Sequence, residues 1–294
     1  MRGKLLDISI IILSWCSTIV LVSAIFTIIG FLFVKGYGAL DASLIFGETS
    51  PLDALLLKKP VFDGLFPAMV GTVFLVLLSV VMAVPVGLAS GVYMAEYAGE
   101  IPRRILNLFF DILAGLPSIL VGLFGFSVAV FLHHRFSDHI FPCLLISALS
   151  LAFLVLPYLI RSTQMALEEI PPSIRLTAPA LGATRFQNIR HVLLPHSLSG
   201  ILSGVILAIG RCAEDTAVIM LTGVVATAGI PRSILSIYEA LPFYIYTVSS
   251  EYANQQELMT GYGAAIILLV ICTSLFVLAH VIQKFMSRRA LARL

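Results

Sequence analysis

Apolar residues in this chain gather into long runs, and the breaks between runs are short charged or proline-bearing stretches. Six runs stand out, over about residues 8–34, 66–95, 105–132, 140–160, 197–228 and 261–285. A helix needs about 20 apolar residues to cross a hydrocarbon core about 30 Å thick, and each run reaches that length. The pattern predicts an all-α membrane protein with six transmembrane helices. The first run follows Met1-Arg-Gly-Lys and ends at Lys35-Gly36 with no small-residue cleavage pattern. It is longer than the apolar part of a secretory signal, so it is expected to remain as the first helix.

Composition agrees: of 294 residues, 59% are hydrophobic and only 12% charged. A water-soluble core has no use for so much apolar surface, and lipid is the expected solvent. A formal charge of +2, with basic residues scattered at helix ends, argues against a nucleic-acid partner. Cys16, Cys143, Cys212 and Cys272 all fall inside apolar runs without a CxxC pair, so they read as small hydrophobes.

The basic residues predict the orientation. With the N-terminus in the cytoplasm, the inside set is Arg2, Lys4, Arg103, Arg104, Arg161, Arg175, Arg185, Arg190, Lys284, Arg288, Arg289 and Arg293. The outside set is Lys35, Lys58, Lys59, Arg135 and Arg232, and Arg211 lies within a span. Twelve against five is a strong positive-inside bias, so both termini are expected to be cytoplasmic.

The outside loop at 35–65 carries Pro51 and Pro60 and is long enough to cover part of the outer mouth. In the third run, Gly115, Gly122 and Gly125 allow close backbone approach, and Pro117 is expected to kink the helix. Pro117 and Ser118 either belong to a packing kink or border a solute path. Asp111 reads as an interfacial or paired carboxylate. His133, His134, Asp138 and His139 crowd an outer loop without metal-ligand spacing and read as solvated. Tyr244, Tyr246 and Tyr252, in the outer stretch 229–260, suit a membrane interface or a docking partner. No catalytic set and no metal site emerges.

Two stretches carry more information. Residues 168–196 form a polar, basic loop, and over thirty residues (161–196) separate the fourth and fifth runs, where a bare hairpin needs only a few. Pro171 and Pro172 suit the start of a short helix and Gly182 its left-handed end, and Thr184 to His191 reads as a second short amphipathic helix. Such a loop is better suited to docking a partner than to simple connection. Beyond it, Arg211 lies about fourteen residues, or about 21 Å, into the fifth run. An unpaired Arg at the centre of a bilayer costs about 2.5–3.5 kcal/mol on insertion scales. Glu214 and Asp215, three and four residues on, share its face and offset that cost. A purely structural ion pair is one reading; a polar lining for a solute path is preferred, because two carboxylates and one Arg in one turn exceed what packing requires.

The run Ala180-Leu-Gly-Ala-Thr-Arg-Phe-Gln-Asn-Ile-Arg-His-Val-Leu-Leu-Pro195 resembles the "EAA" cytoplasmic loop of ABC importer permeases. Gly182 and Val192-Leu-Leu-Pro195 fall at the family's spacing, with Val192 in the isoleucine position. Where the family usually has Glu-Ala-Ala, this chain has Leu176-Thr177-Ala178 followed by Pro179, which is expected to interrupt the helix. Gly64-Leu-Phe-Pro-Ala-Met-Val-Gly-Thr72, Gly91-Val-Tyr-Met-Ala-Glu-Tyr97, Gly115-Leu-Pro-Ser-Ile119 and Leu156-Pro-Tyr-Leu-Ile-Arg-Ser162 are similar to phosphate-specific transport (Pst) permeases, the PstA type in particular. Arg211-Cys-Ala-Glu-Asp-Thr216 is similar to that family's Arg-x-x-Gly-Glu-Thr, with Glu214 replacing the glycine and Asp215 the glutamate, while Thr216 matches. Arg161 also matches a family arginine.

The resemblance implies a type I ABC importer permease fold in the plasma membrane of a bacterium or archaeon. It implies inward movement of phosphate, with another oxyanion or a phosphonate as alternative solute. It assigns Arg211, Asp215, Glu214, Thr216, Pro117, Ser118 and Arg161 to the solute path. Leu176, Thr177, Ala178, Ala180, Leu181, Gly182 and Arg185 are assigned to the ATPase contact. Its implied partners are a PstC-like permease, PstB-like ATPase subunits, a periplasmic or lipid-anchored phosphate-binding protein and membrane lipid. No G-x-x-x-x-G-K-[ST] occurs, so no cofactor is expected on this chain, and ATP with Mg belongs to the partner ATPase. The expected division is a first helix and outer loop (1–60), a permease domain (61–286) and a basic tail (287–294). An intramembrane enzyme using Glu214 and Asp215 with His191 or His196 is disfavoured, since those histidines lie about 28 to 36 Å away along a helix. A structural or channel subunit is the remaining alternative.

Overall fold

The computed structural model describes residues 2–55, 61, 64–136 and 141–291. Lys58, Lys59, Pro60, Asp138, His139 and Arg293 therefore lie outside the described residues. The long helices are α1 (Arg2–Gly36), α2 (Phe66–Val92), α3 (Glu100–Ala114), α4 (Ser118–Phe136), α5 (Leu144–Glu168), α6 (Leu194–Glu214) and, after a short α7 (Ala217–Thr222), α8 (Leu241–Glu251) and α9 (Gln255–Leu291). Among the described residues, six helices are long and apolar enough to cross a membrane, one for each apolar run.

The structure corrects three run boundaries. The third run is two helices with a break at Gly115–Pro117. Pro117 opens α4, its carbonyl taking the Leu120 N–H at 3.0 Å, and does not kink a continuous helix. The missing proline N–H is one that a first turn leaves unused, and the ring bars the preceding residue from continuing α3. α3 is amphipathic: Ile101, Ile105, Leu108 and Ile112 point outward, while Asn107 and Asp111 turn to α5. The fourth run extends to Glu168, so Arg161 sits two turns before the end of α5 and not at it. The fifth stops at Glu214 and re-forms as α7, so Arg211 lies in the last turn of α6 and not in mid-helix. The outer stretch 229–260, read as a loop, contains α8, and His133 and His134 belong to the last turn of α4.

α5 is the axis. Two glycine pairs at four-residue spacing let its neighbours approach closely. On α2, a Cβ added at Gly87 meets Leu159 Cβ at 2.7 Å, and one at Gly91 meets Thr163 Cβ at 2.5 Å. On α6, a Cβ at Gly200 meets Ala166 Cβ at 2.6 Å, and one at Gly204 overlaps the Ser162 hydroxyl. Lipid tails are as apolar as leucine, so close packing of small residues supplies the attraction that water supplies elsewhere. Around these contacts Leu75, Val76, Leu151, Val155, Ala208 and Cys212 form the buried core.

Val218, Ile219, Val224 and Tyr238 belong to the same core, so α7 and the loop after it are folded back into the bundle. Gly122 explains how α7 comes so near α4: a Cβ there meets the Ala217 carbonyl and Val218 Cα at 3.0 Å. Gly125 is equally closed, against Ser150 and Thr222, whereas Gly115 has only ordinary contacts.

Gly91→Leu is expected to overpack the α2–α5 seam and destabilise by about 1–3 kcal/mol, the usual cost of inserting side chain into a full core. Gly30→Leu, where nothing lies within 4 Å of an added Cβ, is the control. Thermal melting in detergent checks the pair, and equal melting temperatures would refute the close-packed seam.

Candidate functional site

The charges of the fifth run sit where α6 ends. Arg211 Nη1 donates to Glu214 Oε1 at 2.7 Å, and Arg211 Nη2 lies 3.4 Å from Asp215 Oδ2. A cation suits this position, because the last turn of a helix leaves carbonyls unpaired and carries the negative end of the dipole. The two carboxylates have different tasks. The Asp215 side chain is 3% exposed and its Oδ1 accepts the Val218 N–H at 2.9 Å, capping α7. The Glu214 side chain is 63% exposed and stays on the open face with Arg211. Thr216 is the first residue after the break, and its carbonyl takes the Met220 N–H at 3.0 Å.

Arg211 and Glu214 line a cavity of about 460 Å³ with Ser203, Gly210 and Phe276. A second cavity of the same size continues from Ser203 past Ser199, Ser197 and His196 to Glu169, next to the loop. One open face of α6 thus carries a guanidinium at one end and hydroxyls toward the other. Gln283 of α9 donates to the Ser199 carbonyl at 2.8 Å and to Ser203 Oγ at 3.1 Å, which fixes this side of the groove. The sequence reading missed Ser203 as a neighbour of the charged site, and Ser199 and His196 as the continuation of its groove along α6. Their spacing of three and four on the helix that carries Arg211 is the signal that would have found them.

A larger cavity, about 720 Å³, lies at the end of the bundle away from residues 168–196, between Asp41, Glu239, Tyr244 and Gln256. Glu239 accepts the Ala228 and Gly229 N–H groups at 2.7 and 2.6 Å. Burial raises its carboxyl above the ordinary range, against the pull of those two donors. Two carboxylates and no guanidinium in its lining make it a poor anion site beside the Arg211 groove.

The remaining path candidates are not gathered at Arg211. Arg161 is held by Asp111, with Nη2 at 2.8 and 2.9 Å from its two oxygens, and by Asn107 Oδ1 at 2.9 Å. It ties the amphipathic α3 to α5, and of the two sequence readings of Asp111, interfacial or paired, the structure shows the pair. Pro117 and Ser118 open α4, one turn before its contact with α7.

The loop 168–196 folds as three short helical turns, Pro172–Arg175, Thr177–Ala180 and Arg185–Asn188. Pro172 begins the first, as expected, and Gly182 turns the chain with φ +84°. Thr184 and Gln187 form a capping box, with Thr184 N donating to Gln187 Oε1 at 2.8 Å. Pro179 interrupts the helix, as expected: the chain breaks at Leu176, between Pro172–Arg175 and Thr177–Ala180, where the proline offers no N–H to the Arg175 carbonyl. The Ala180 N–H still reaches the Leu176 carbonyl at 3.1 Å. Proline's lost bond would have gone to the Arg175 carbonyl, and Asn188 Nδ2 donates there instead, at 3.0 Å. Leu176, Leu181 and Phe186 are exposed at the tip, with Thr177, Ala180, Gly182 and Arg185 beside them and Ala178 half-buried. The Arg185 guanidinium lies over the Tyr97 ring, 5.4 Å from its centre.

The family whose description is "Binding-protein-dependent transport system inner membrane component" matches residues 83–290. The Haemophilus influenzae "Phosphate transport system permease protein PstA" is 31% identical over 267 residues, 90% of this chain and 89% of that protein. The Yersinia pestis protein of the same name is 34% identical over 229 residues, covering 74% and 72%. Among solved structures, inward-facing MetNI methionine ABC transporter superposes with a TM-score of 0.59 at 19% identity, over 81% of this chain and 99% of that one. A bacterial ABC transporter that imports alginate gives 0.59 at 16% identity, over 92% and 95%. The fold is that of type I ABC importer permeases.

Asn188→Ala leaves the Arg175 carbonyl without a donor, at an expected cost of about 1–3 kcal/mol. Adding Pro179→Ala returns an N–H four residues after Arg175 and is expected to recover most of the loss. Thermal melting of the two variants checks this; a double variant no better than Asn188→Ala alone would exclude the substitution of one donor for the other.

Proposed function

We propose, starting from the fact that this chain belongs to the family of binding-protein-dependent transport system inner membrane components, that it is the permease subunit of an ATP-driven importer of inorganic phosphate. The observation that carries this reading is the match to phosphate permeases at about 30% identity across most of the chain. The chain is a multi-pass membrane protein.

Arg211 is the solute contact in this reading. A guanidinium offers a planar fork of donors that fits two oxygens of a tetrahedral oxyanion. Glu214 on the open face keeps the fork oriented and accepts the proton that phosphate, unlike sulfate, still carries. Asp215 acts from beneath, holding the end of α6 against α7 so that Arg211 keeps its position. Ser203, Ser199 and His196 extend the polar groove toward the loop. Thr216 lies next to this region, whereas Arg161 holds α3 to α5 and Pro117 and Ser118 open α4, away from the Arg211 groove.

The groove on α6 is open on one side, which suits closure by a second permease of PstC type. The loop 168–196 faces the cytoplasm, in keeping with the twelve basic residues on that side, and its exposed Leu176, Leu181 and Phe186 dock PstB-type ATPase subunits. ATP and Mg are bound and used there, so this chain carries no cofactor and catalyses no reaction. A phosphate-binding protein delivers solute at the opposite face, and the membrane is the plasma membrane of a bacterium or archaeon.

Arg211→Ala is expected to lower phosphate uptake by about 10- to 100-fold, as for the loss of a hydrogen bond to a charged group worth about 1.5–3 kcal/mol, while the complex still assembles. Radiolabelled uptake into vesicles checks it, with arsenate and sulfate as competitors. Arsenate is expected to compete and sulfate not. Full uptake by Arg211→Ala would remove the solute site, and competition by sulfate alone would replace phosphate with another oxyanion.

A further inference from the structure

A second polar cluster lies where the loop meets the bundle, and it centres on Arg175. Its Nη1 pairs with Glu96 Oε1, and its Nη2 donates to the Leu167 carbonyl at 2.5 Å. Its own carbonyl accepts Asn188 Nδ2. One residue thus joins the end of α2, the end of α5 and both halves of the loop. The Glu96 side chain is 9% exposed, so the pair is largely withdrawn from solvent. Beneath it lies a separate apolar cluster, Ala95, Leu167, Ile170, Ile189 and Leu193, on which Ile174 packs.

The local backbone is arranged for this contact. After Val92 the helix widens into one π turn, Tyr93–Tyr97, in which the Ala98 N–H reaches back five residues to the Tyr93 carbonyl. Such turns occur often at functional positions, because the wider spacing re-aims the side chains that follow. A second arginine works in parallel. Arg103 Nη2 donates to the Ala95 carbonyl at 2.9 Å, and its Nη1 lies 3.4 Å from Glu168. The carbonyl ends of α2 and α5 are therefore each covered by a guanidinium, which meets both their unpaired acceptors and their dipoles.

The bundle does not need the Glu96–Arg175 pair in order to pack, because α2 and α5 already meet closely at Gly87 and Gly91. The loop does need it: its tip residues Leu181 and Phe186 are exposed, and its inner side rests on one small apolar cluster. We propose that Glu96 is a positioning residue for energy coupling. Through Arg175 it makes residues 172–193 and the ends of α2 and α5 one rigid lever. A displacement imposed at the loop tip is then carried into the helices and not absorbed by bending of the loop. The inference rests on the reading of this loop as the ATPase contact.

The test uses the full complex with its ATPase and binding protein in proteoliposomes, and reads phosphate moved per ATP hydrolysed. Glu96→Gln keeps the size and loses the charge. It is expected to lower that ratio about tenfold, within the range of ordinary coupling energies, while ATP hydrolysis persists. Glu96→Asp is expected to hold the wild-type ratio more closely than Glu96→Gln. Hydrogen exchange of the amides in 172–193 is expected to quicken about tenfold in Glu96→Gln, with the core of α5 unchanged. If Glu96→Gln does not assemble, Arg175→Lys is the second variant, since an ammonium cannot span both Glu96 and the Leu167 carbonyl as the fork does; the same split is expected. An unchanged ratio and unchanged exchange would overturn the lever, as would equal loss of hydrolysis and uptake. A wild-type complex that moves no phosphate would instead overturn the functional reading, and the exchange measurement would still decide the lever.

Discussion

Within a hydrocarbon layer there is no water to take up a free N–H or C=O, so every departure from helix has to be closed by the protein itself. This chain departs at Asp215, in the middle of its packed core. Everything after that point is arranged to close the gap. Asp215 takes the Val218 N–H, the Val225 N–H pairs with the Tyr238 carbonyl, and Glu239 takes the N–H groups of Ala228 and Gly229. The loop also serves its neighbours: the Ser236 and Ile234 carbonyls accept the Leu144 and Leu145 N–H groups, which the first turn of α5 leaves free. Thr72 of α2 takes the Leu241 N–H at 2.9 Å. The break is sealed from three sides, and the end of α6 that it creates is where Arg211 sits.

The charged residues follow from the same constraint. Among the described residues, the half-buried guanidinium groups of Arg103, Arg175 and Arg211 meet helix-end carbonyls, carboxylates or both: Arg103 and Arg175 at the ends of α2 and α5, Arg211 in the last turn of α6. Arg161 differs, spending its donors on Asp111 and Asn107 to attach α3. Among these four, Arg211 is the one that also lines an open groove. That separates the proposed solute contact from three arginines of the same kind that hold helices together.

Much of this was legible in the sequence. The six spans follow from run length, and the loop from its polarity, Gly182 and the paired prolines. Asp111 was recognisable as a carboxylate in want of a partner. What escaped was any feature depending on where an apolar run stops being helical. Residues 197–228 read as one span because hydropathy counts side chains, and α7 and the chain that follows are as apolar as a helix. The break is set by Asp215, a single capping side chain, and by Gly122, whose missing Cβ admits α7 against α4 only once distant parts of the chain are folded together. Pro179 is legible as a break, but what closes the break is not. Its local effect is disruptive, and the compensating donor, Asn188, comes from the next turn of the loop. The Glu96–Arg175 pair joins residues far apart in sequence, which no periodicity reports.

The two faces of α6 are under opposite demands. Gly200, Gly204 and Ala208 are pressed against α5 or its core, where one added methyl has nowhere to go. Ser199, Ser203, Leu207 and Glu214 lie on the exposed side, where Gln283 reaches the two serines. The frozen positions and the free ones alternate along a single helix. A change in what the groove accepts is therefore confined to one turn-spaced stripe, and within it Leu207 can vary without breaking the bonds that tie α6 to α9 or orient Arg211.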